Sequence, residues 1–442
     1  MAGVSGKELV TLPGWPAGIN NVDKEHAVLG VPTRDGGVPA ARIAENIDFD
    51  NEGKVARRRG YAMAIAGENV HSLWSHPELD YGLFVRAGSL IAFDEGLNET
   101  VITTGLSNIH PLSYDTVNGT VLWSSRIAHG RITAAKAAAP FALRSPAGQP
   151  TVSASTNGGL RAGQYQVAIT YAAASGEESG TSLAVLVDVA EGQGVQLAAI
   201  PQPLDASVVR VRVYMTPPDG DVLYHQRDIP VGMLAVTLGH APHGKPLETQ
   251  WLQPMPTGQI LRIKHGRCEV AAGNVLWWSE ALRYGYRNVA RNYIRFPDEI
   301  TLLAPIGDGE AAGRYVAAGS RTYWISGATP SSAAQAIANP YGAVAGTHIE
   351  VPATALGLEA SGRVAFWLAS NGVPVIGMPG GQVMPLTDRR WVAPIAERGS
   401  AFLREQNGAR HIVMGLGGQQ RNGLRTTDRA VATVYRGGIA LD

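Results

Sequence analysis

Gly313-Arg-Tyr-Val-Ala-Ala318, the turn Gly319-Ser320, and Arg321-Thr-Tyr-Trp-Ile-Ser326 make one unit, two apolar runs of strand length either side of a two-residue gap that contains glycine. Aromatic and β-branched residues suit a pleated surface, and so short a gap joins antiparallel strands, so the unit predicts a β-hairpin. It recurs on both sides. Upstream stand Arg267-Cys-Glu-Val-Ala271 with Asn274-Val-Leu-Trp-Trp-Ser279, Pro111-Leu-Ser-Tyr114 with Gly119-Thr-Val-Leu-Trp-Ser124, and Tyr81-Gly-Leu-Phe-Val-Arg86 with Ser89-Leu-Ile-Ala-Phe93. Downstream stand Gly362-Arg-Val-Ala-Phe-Trp-Leu368 with Gly372-Val-Pro-Val-Ile376, and Ala409-Arg-His-Ile-Val-Met414 with Ala430-Val-Ala-Thr-Val-Tyr435. Away from one interruption, successive units begin roughly 30–50 residues apart, a period that marks propellers and solenoids. A lone hairpin is marginal in water and needs neighbours over its faces, which radial closure supplies while leaving only short edges. The expected fold is therefore all-β, a β-propeller of about five to seven irregular blades. The repeats are degenerate and carry no WD or kelch signature, so the competing arrangement is a β-sandwich or an irregular multi-sheet assembly.

The interruption opens at Ala134-Ala-Lys-Ala-Ala-Ala-Pro140, a small-residue linker, and ends after Pro254-Met-Pro256. Between them Gly163-Gln-Tyr-Gln-Val-Ala-Ile-Thr-Tyr171 alternates strictly, Ser175-Gly-Glu-Glu-Ser179 is a turn, and Ser207-Val-Val-Arg-Val-Arg-Val-Tyr214 runs to the turn cluster Pro217-Pro-Asp-Gly220. Strands at such spacing over about a hundred residues predict an immunoglobulin-like or fibronectin-like sandwich. Residues 151–256 are thus read as an insert between the N-terminal part of the propeller, 1–140, and its C-terminal part, 257–442. With five basic against nine acidic residues the insert is mildly acidic and is expected to face solvent.

Composition excludes several function classes. Hydrophobic residues make up 45% and charged residues 17%, with 53 Gly and 27 Pro, which suits many short strands and tight turns and excludes a disordered chain. Lys and Arg total 37, as do Asp and Glu, so the electrostatic footprint of a dedicated nucleic-acid binder is absent. The single cysteine, Cys268, permits no internal disulfide. No leader-like segment or long apolar stretch is read, so the chain is expected to start in the cytosol with no membrane anchor. Asn98-Glu-Thr100 and Asn118-Gly-Thr120 match a glycosylation sequon and are read as turns.

Catalytic and metal signatures are sparse. Nucleophile elbows, HExxH helices and phosphate loops do not occur. Gly307-Asp-Gly-Glu-Ala-Ala-Gly313 approaches a dinucleotide fingerprint but precedes a strand where a helix should open. Asp48, Asp50, Glu52 and Gly53 resemble the start of a calcium loop, yet the closing carboxylate position is Arg59. The histidines lack ligand spacing. No cofactor and no catalytic residue are predicted; a propeller-type glycosidase would need paired carboxylates, and Asp298, Glu299 and Asp308 lie in turns. The densest basic run is Arg57-Arg58-Arg59, followed by Tyr61; on a strand its members alternate faces, so it is read as a solvated or salt-bridged edge or as a contact to a partner or a channel. The segment from Thr329 to Tyr341 is read as a long inter-blade loop with the same potential.

Gly18-Ile-Asn-Asn21, Ala44-Glu-Asn-Ile-Asp-Phe-Asp50, Gly53 and Arg57-Arg-Arg-Gly-Tyr61 resemble the N-terminal hairpin of bacteriophage tail nozzle, or tail-hub, proteins, the packaged-DNA stabilisation family of short-tailed phages. Leu276-Trp-Trp-Ser-Glu280, Asn292-Tyr-Ile-Arg-Phe-Pro297, Ile300-Thr-Leu-Leu-Ala-Pro305 and Thr322-Tyr-Trp-Ile-Ser-Gly327 are similar to a propeller segment of that family. The insert resembles immunoglobulin-like domains of phage virion proteins. The resemblance implies a structural virion protein made in the host cytoplasm, a homo-oligomeric ring, usually a hexamer, below the head-to-tail adaptor, with fibres or spikes on its flanks and phage DNA passing transiently through its lumen. The alternative is a distal-tail, baseplate or receptor-binding (adhesin) protein of a long-tailed phage.

Overall fold

In a computed structural model of the chain, residues 19–22, 40–41, 47–49, 55–57, 63–327, 329–387, 391–406, 409–418, 430–435 and 438–441 are described. Among them the secondary structure is all β apart from three short 3-10 turns. Each hairpin predicted from the apolar runs is an antiparallel pair, with Tyr315 opposite Trp324 and Phe366 opposite Ile376 in register. In most cases the pair forms the middle of a four-stranded sheet whose strands follow chain order. The chain divides into two units, residues 67–295 and residues 1–66 with 296–442.

In the unit 67–295, the first sheet comprises His71–Ser75, Gly82–Arg86, Ser89–Phe93 and Glu99–Thr103. The second comprises Ser113–Val117, Thr120–Ser124, His129–Ile132 and Ala138–Ala139, and a third, after the insert, Ile260–Lys264, Arg267–Ala272, Val275–Trp278 and Tyr293–Arg295. The strand Thr120–Ser124 shows how they associate. Val121 and Trp123 join a core with Leu83, Val85 and Leu90 of the first sheet, while Leu122 between them joins Leu261, Cys268 and Val270 of the third. Side chains alternate across a strand, so one strand serves two neighbours with successive residues. The middle strands are buried on both faces, whereas Glu99–Thr103 is an exposed edge.

The unit of residues 1–66 and 296–442 repeats the scheme. Its sheets are Ile300–Ile306 to Ala334–Asn339, Ile349–Pro352 to Val383–Pro385, and Arg398–Gln406 to Gly438–Leu441. Ala365 and Trp367 pack with Tyr315 and Trp324 on one side, and Phe366 and Leu368 pack with Ile412, Met414 and Trp391 on the other. Gly377 is required by this closeness, because a β-carbon there would collide with the Tyr315 ring. The segment 342–347 stitches the three sheets: Ala343 O accepts from Thr301 Oγ1 at 2.9 Å, Val344 N donates to Leu368 O at 2.8 Å and Ala345 O accepts from Gly399 N at 2.8 Å.

Inside the insert, Thr151–Ser155, Gly194–Ala198 and Val236–Leu238 form a three-stranded sheet. Val185–Val189, Gly163–Ala173, Val208–Met215 and Tyr224–Pro230 form a four-stranded one. Both contribute to one core, in which Tyr165, Val167, Ile169, Val211 and Val213 meet Val195, Leu197 and Leu238.

Candidate functional site

The hairpin singled out by sequence is present as Ile47–Phe49 paired with Val55–Arg57, Ile47 standing opposite Arg57. Ile47 packs against the core of Ile412, Met414 and Trp391, which anchors the hairpin, and Arg57 is exposed. Arg58, Arg59 and Tyr61 lie outside the described residues, as do Asp50, Glu52 and Gly53 of the calcium-loop-like run. Nearby, Ile19 is buried in the same core, and Asn21 forms a reciprocal pair with Val392, Nδ2 donating to the carbonyl at 3.0 Å and Oδ1 accepting the amide at 3.1 Å.

The segment Thr329 to Tyr341 is not a long loop. It holds a 3-10 turn, Pro330–Ser332, and the edge strand Ala334–Asn339, paired with Arg321–Ser326. Its residues are mostly exposed, so they lack the apolar alternation that marks a half-buried strand. Asp298, Glu299 and Asp308 are all exposed, and Gly309–Ala311 is a 3-10 turn before the strand Gly313–Ala318. Among the described residues no group of three or more His, Cys, Asp or Glu is placed to hold a metal ion. Burial pushes the Cys268 thiol well up, and Asp115 and Glu269 push it the same way, so it is held as an inert thiol.

Polar side chains concentrate instead at two junctions of the unit 67–295. At the first, the sheet before the insert is fastened to the sheet after it. Ser113 Oγ accepts the Leu261 amide at 3.0 Å, Asp115 Oδ2 accepts the Ile263 amide at 2.7 Å, and Ser124 Oγ accepts the Gly258 amide at 2.9 Å. Burial raises the Asp115 carboxyl, against the pull of the Ile263 and Thr116 amides and of Arg262.

At the second, two acidic residues of the turn 175–179, in the insert expected to face solvent, are turned inward. Glu177 pairs with Arg131 at 3.0 Å and accepts from the Leu143 amide at 3.3 Å and from Tyr286 Oη at 2.9 Å. Glu178 takes Arg212 Nη1 and Thr170 Oγ1 at 2.6 Å and Tyr214 Oη at 2.7 Å. Burial and the adjoining glutamates raise both tyrosine hydroxyls. Burial would also raise the Asp228 carboxyl, but His225, Arg210 and Arg212 outweigh it and hold it below its ordinary range. These junctions escape a sequence scan because their partners come from segments far apart in the chain.

No family model matches the chain, and no curated protein matches it. Among solved structures, PorZ, an essential bacterial surface component of the type-IX secretion system of Porphyromonas gingivalis, is 9% identical over 80% of this chain, with a TM-score of 0.23. The chain spans 46% of that protein's length. A complex of S. cerevisiae Dbp5 with Nup159 and Gle1 gives 11% identity over 82% of this chain and 72% of the other, also with a TM-score of 0.23. At such scores neither likeness carries an argument about fold or function.

Proposed function

We propose that this chain is a structural, non-catalytic virion protein of a bacteriophage tail, a nozzle or hub subunit whose copies form a ring. Its sheets would be blades of a β-propeller and residues 151–256 an immunoglobulin-like or fibronectin-like insert. The ring would close or guide the DNA channel, dock fibres or spikes, and seat against the head-to-tail adaptor. The observation that supports this reading is the junction at Ser113, Asp115 and Ser124, where the sheets flanking the insert meet as immediate neighbours. A blade series interrupted by a spliced domain requires that continuity. The balanced charge fits a lumen that passes DNA, because few unpaired cations leave few phosphate contacts to break. Native mass measurement and imaging of the purified chain test the proposal. A closed ring of about six copies with a central hole is expected; a monomer, or an assembly without a lumen, would overturn it.

One observation favours the receptor-binding alternative. The loops carrying Leu204 and Leu234, both strongly exposed, are clamped together: Gln202 Nε2 donates to Ile200 O at 2.9 Å and to Met233 O at 3.3 Å, and its Oε1 accepts from Gly232 N at 2.7 Å. A rigid apolar tip suits contact with another surface. Host-cell binding that disappears in a Leu204→Ser, Leu234→Ser variant while rings still assemble would assign this role to the insert.

A further inference from the structure

The two connections that enter and leave the insert meet at its root. Pro140 to Ser145 and Gln253 to Thr257, with His129, line a cleft of about 420 Å³, which falls within the range of small-molecule sites. None of its lining residues is acidic. Two cationic or protonatable groups are held flat by aromatic rings, His129 in the cleft lining and Arg287 beside it, next to the lining residue Gln253. The His129 ring stacks on Phe141 with centroids 4.8 Å apart and planes 15° apart, and its Nδ1 is buried without a partner. The Arg287 guanidinium lies 3.9 Å over Trp277, with Nε and Nη1 buried and unpartnered, on a strand that sets Arg287 opposite Gln253. Arg144, exposed at the cleft wall, makes no ion pair among the described residues, and Ser145 Oγ is also buried and unpartnered there.

Guanidinium N–H groups that are buried without a hydrogen-bond partner are costly, and an incoming anion would relieve that cost at Arg287 Nε and Nη1. Burial lowers His129, and the nearby Arg144 and Arg287 lower it further, against a hydrogen bond to the Pro256 backbone. Burial alone draws Arg287 down to about 10. Glu177, which reaches the neighbouring Leu143 amide, is committed to Arg131 and Tyr286. We propose that this cleft binds the oxyanion of a small molecule, a phosphate or a carboxylate, between His129, Arg144 and Arg287, with Phe141 and Met255 covering an apolar body. Planar, aromatic-backed donors are pre-set for such a group. The inference is independent of the virion role.

The test uses the full chain at constant ionic strength, with inorganic phosphate and acetate titrated in separate arms while the His129 imidazole is followed by NMR. A saturable rise of its titration midpoint by about one unit is expected. The stronger arm tells whether the oxyanion is phosphate or carboxylate. Arg144→Gln, at an exposed position that leaves the fold intact, should weaken binding about tenfold, the worth of one charge-assisted hydrogen bond. A response that fails to saturate in both arms would overturn the proposal, and so would binding of unchanged strength in both Arg144→Gln and His129→Gln.

Discussion

In the insert, two sheets turn toward one shared core built from Val167, Ile169, Val195, Leu197, Val211 and Val213. In the sheets that flank it, Thr120–Ser124 sends Val121 and Trp123 to one neighbour and Leu122 to another, and Arg363–Leu368 divides Trp367 from Phe366 in the same way. The difference lies in where cover comes from. The two sheets of the insert cover each other's inner faces, with Leu143 and Tyr286 closing the root of that core, whereas Thr120–Ser124 and Arg363–Leu368 each need a neighbouring sheet on both sides. Fuller self-cover in the first case and interdependence in the second follow from the same alternation of side chains.

Residues 140–256 expressed alone should unfold cooperatively on heating, while residues 296–341, a single sheet, should show no cooperative transition by circular dichroism; a folded single sheet would end the distinction. Trp367→Ala, which empties the interface between two sheets, should cost about 3–5 kcal/mol in denaturant unfolding. Asp115→Ala strands the half-buried Ile263 amide and should cost about 1–2 kcal/mol, with Asp115→Asn recovering part of it. Glu177→Gln should cost about 1–2 kcal/mol and be felt locally, as faster proteolysis of residues 140–150 than of the flanking sheets. The smallest effect is acid sensitivity. Burial lowers His71 and His129, so the unfolded chain takes up their protons first; their contribution is present above about 6.5 and is lost as pH falls below it. His71→Gln and His129→Gln together should flatten that slope in thermal melts between pH 7 and 5.

Inner strands were legible in the sequence because burial on both faces makes them continuous apolar runs, as in Gly82–Arg86 and Arg363–Leu368. Outer strands were not. Ala334-Gln-Ala-Ile-Ala-Asn339 is exposed along most of its length, and its pairing with Arg321–Ser326 is a backbone matter that composition does not reveal. Of the candidate sites, Arg57 was legible as an exposed cation on a hairpin. The roles of Glu177 and Asp115 were not, since a carboxylate in a turn reads the same whether water or Arg131 receives it, and one on a strand reads the same whether water or the Ile263 amide does. His129, Arg144 and Arg287 carry no common spacing and meet only because both connections of the insert cross at one place.

That crossing has an evolutionary consequence. Because the sheets on either side of the insert already meet where Ser124 bonds Gly258, the roughly hundred residues 151–256 can be exchanged or lengthened while the contact between those sheets is kept. The root of the insert is therefore a graft point, where one lineage can acquire a new appendage without redesigning what lies beneath.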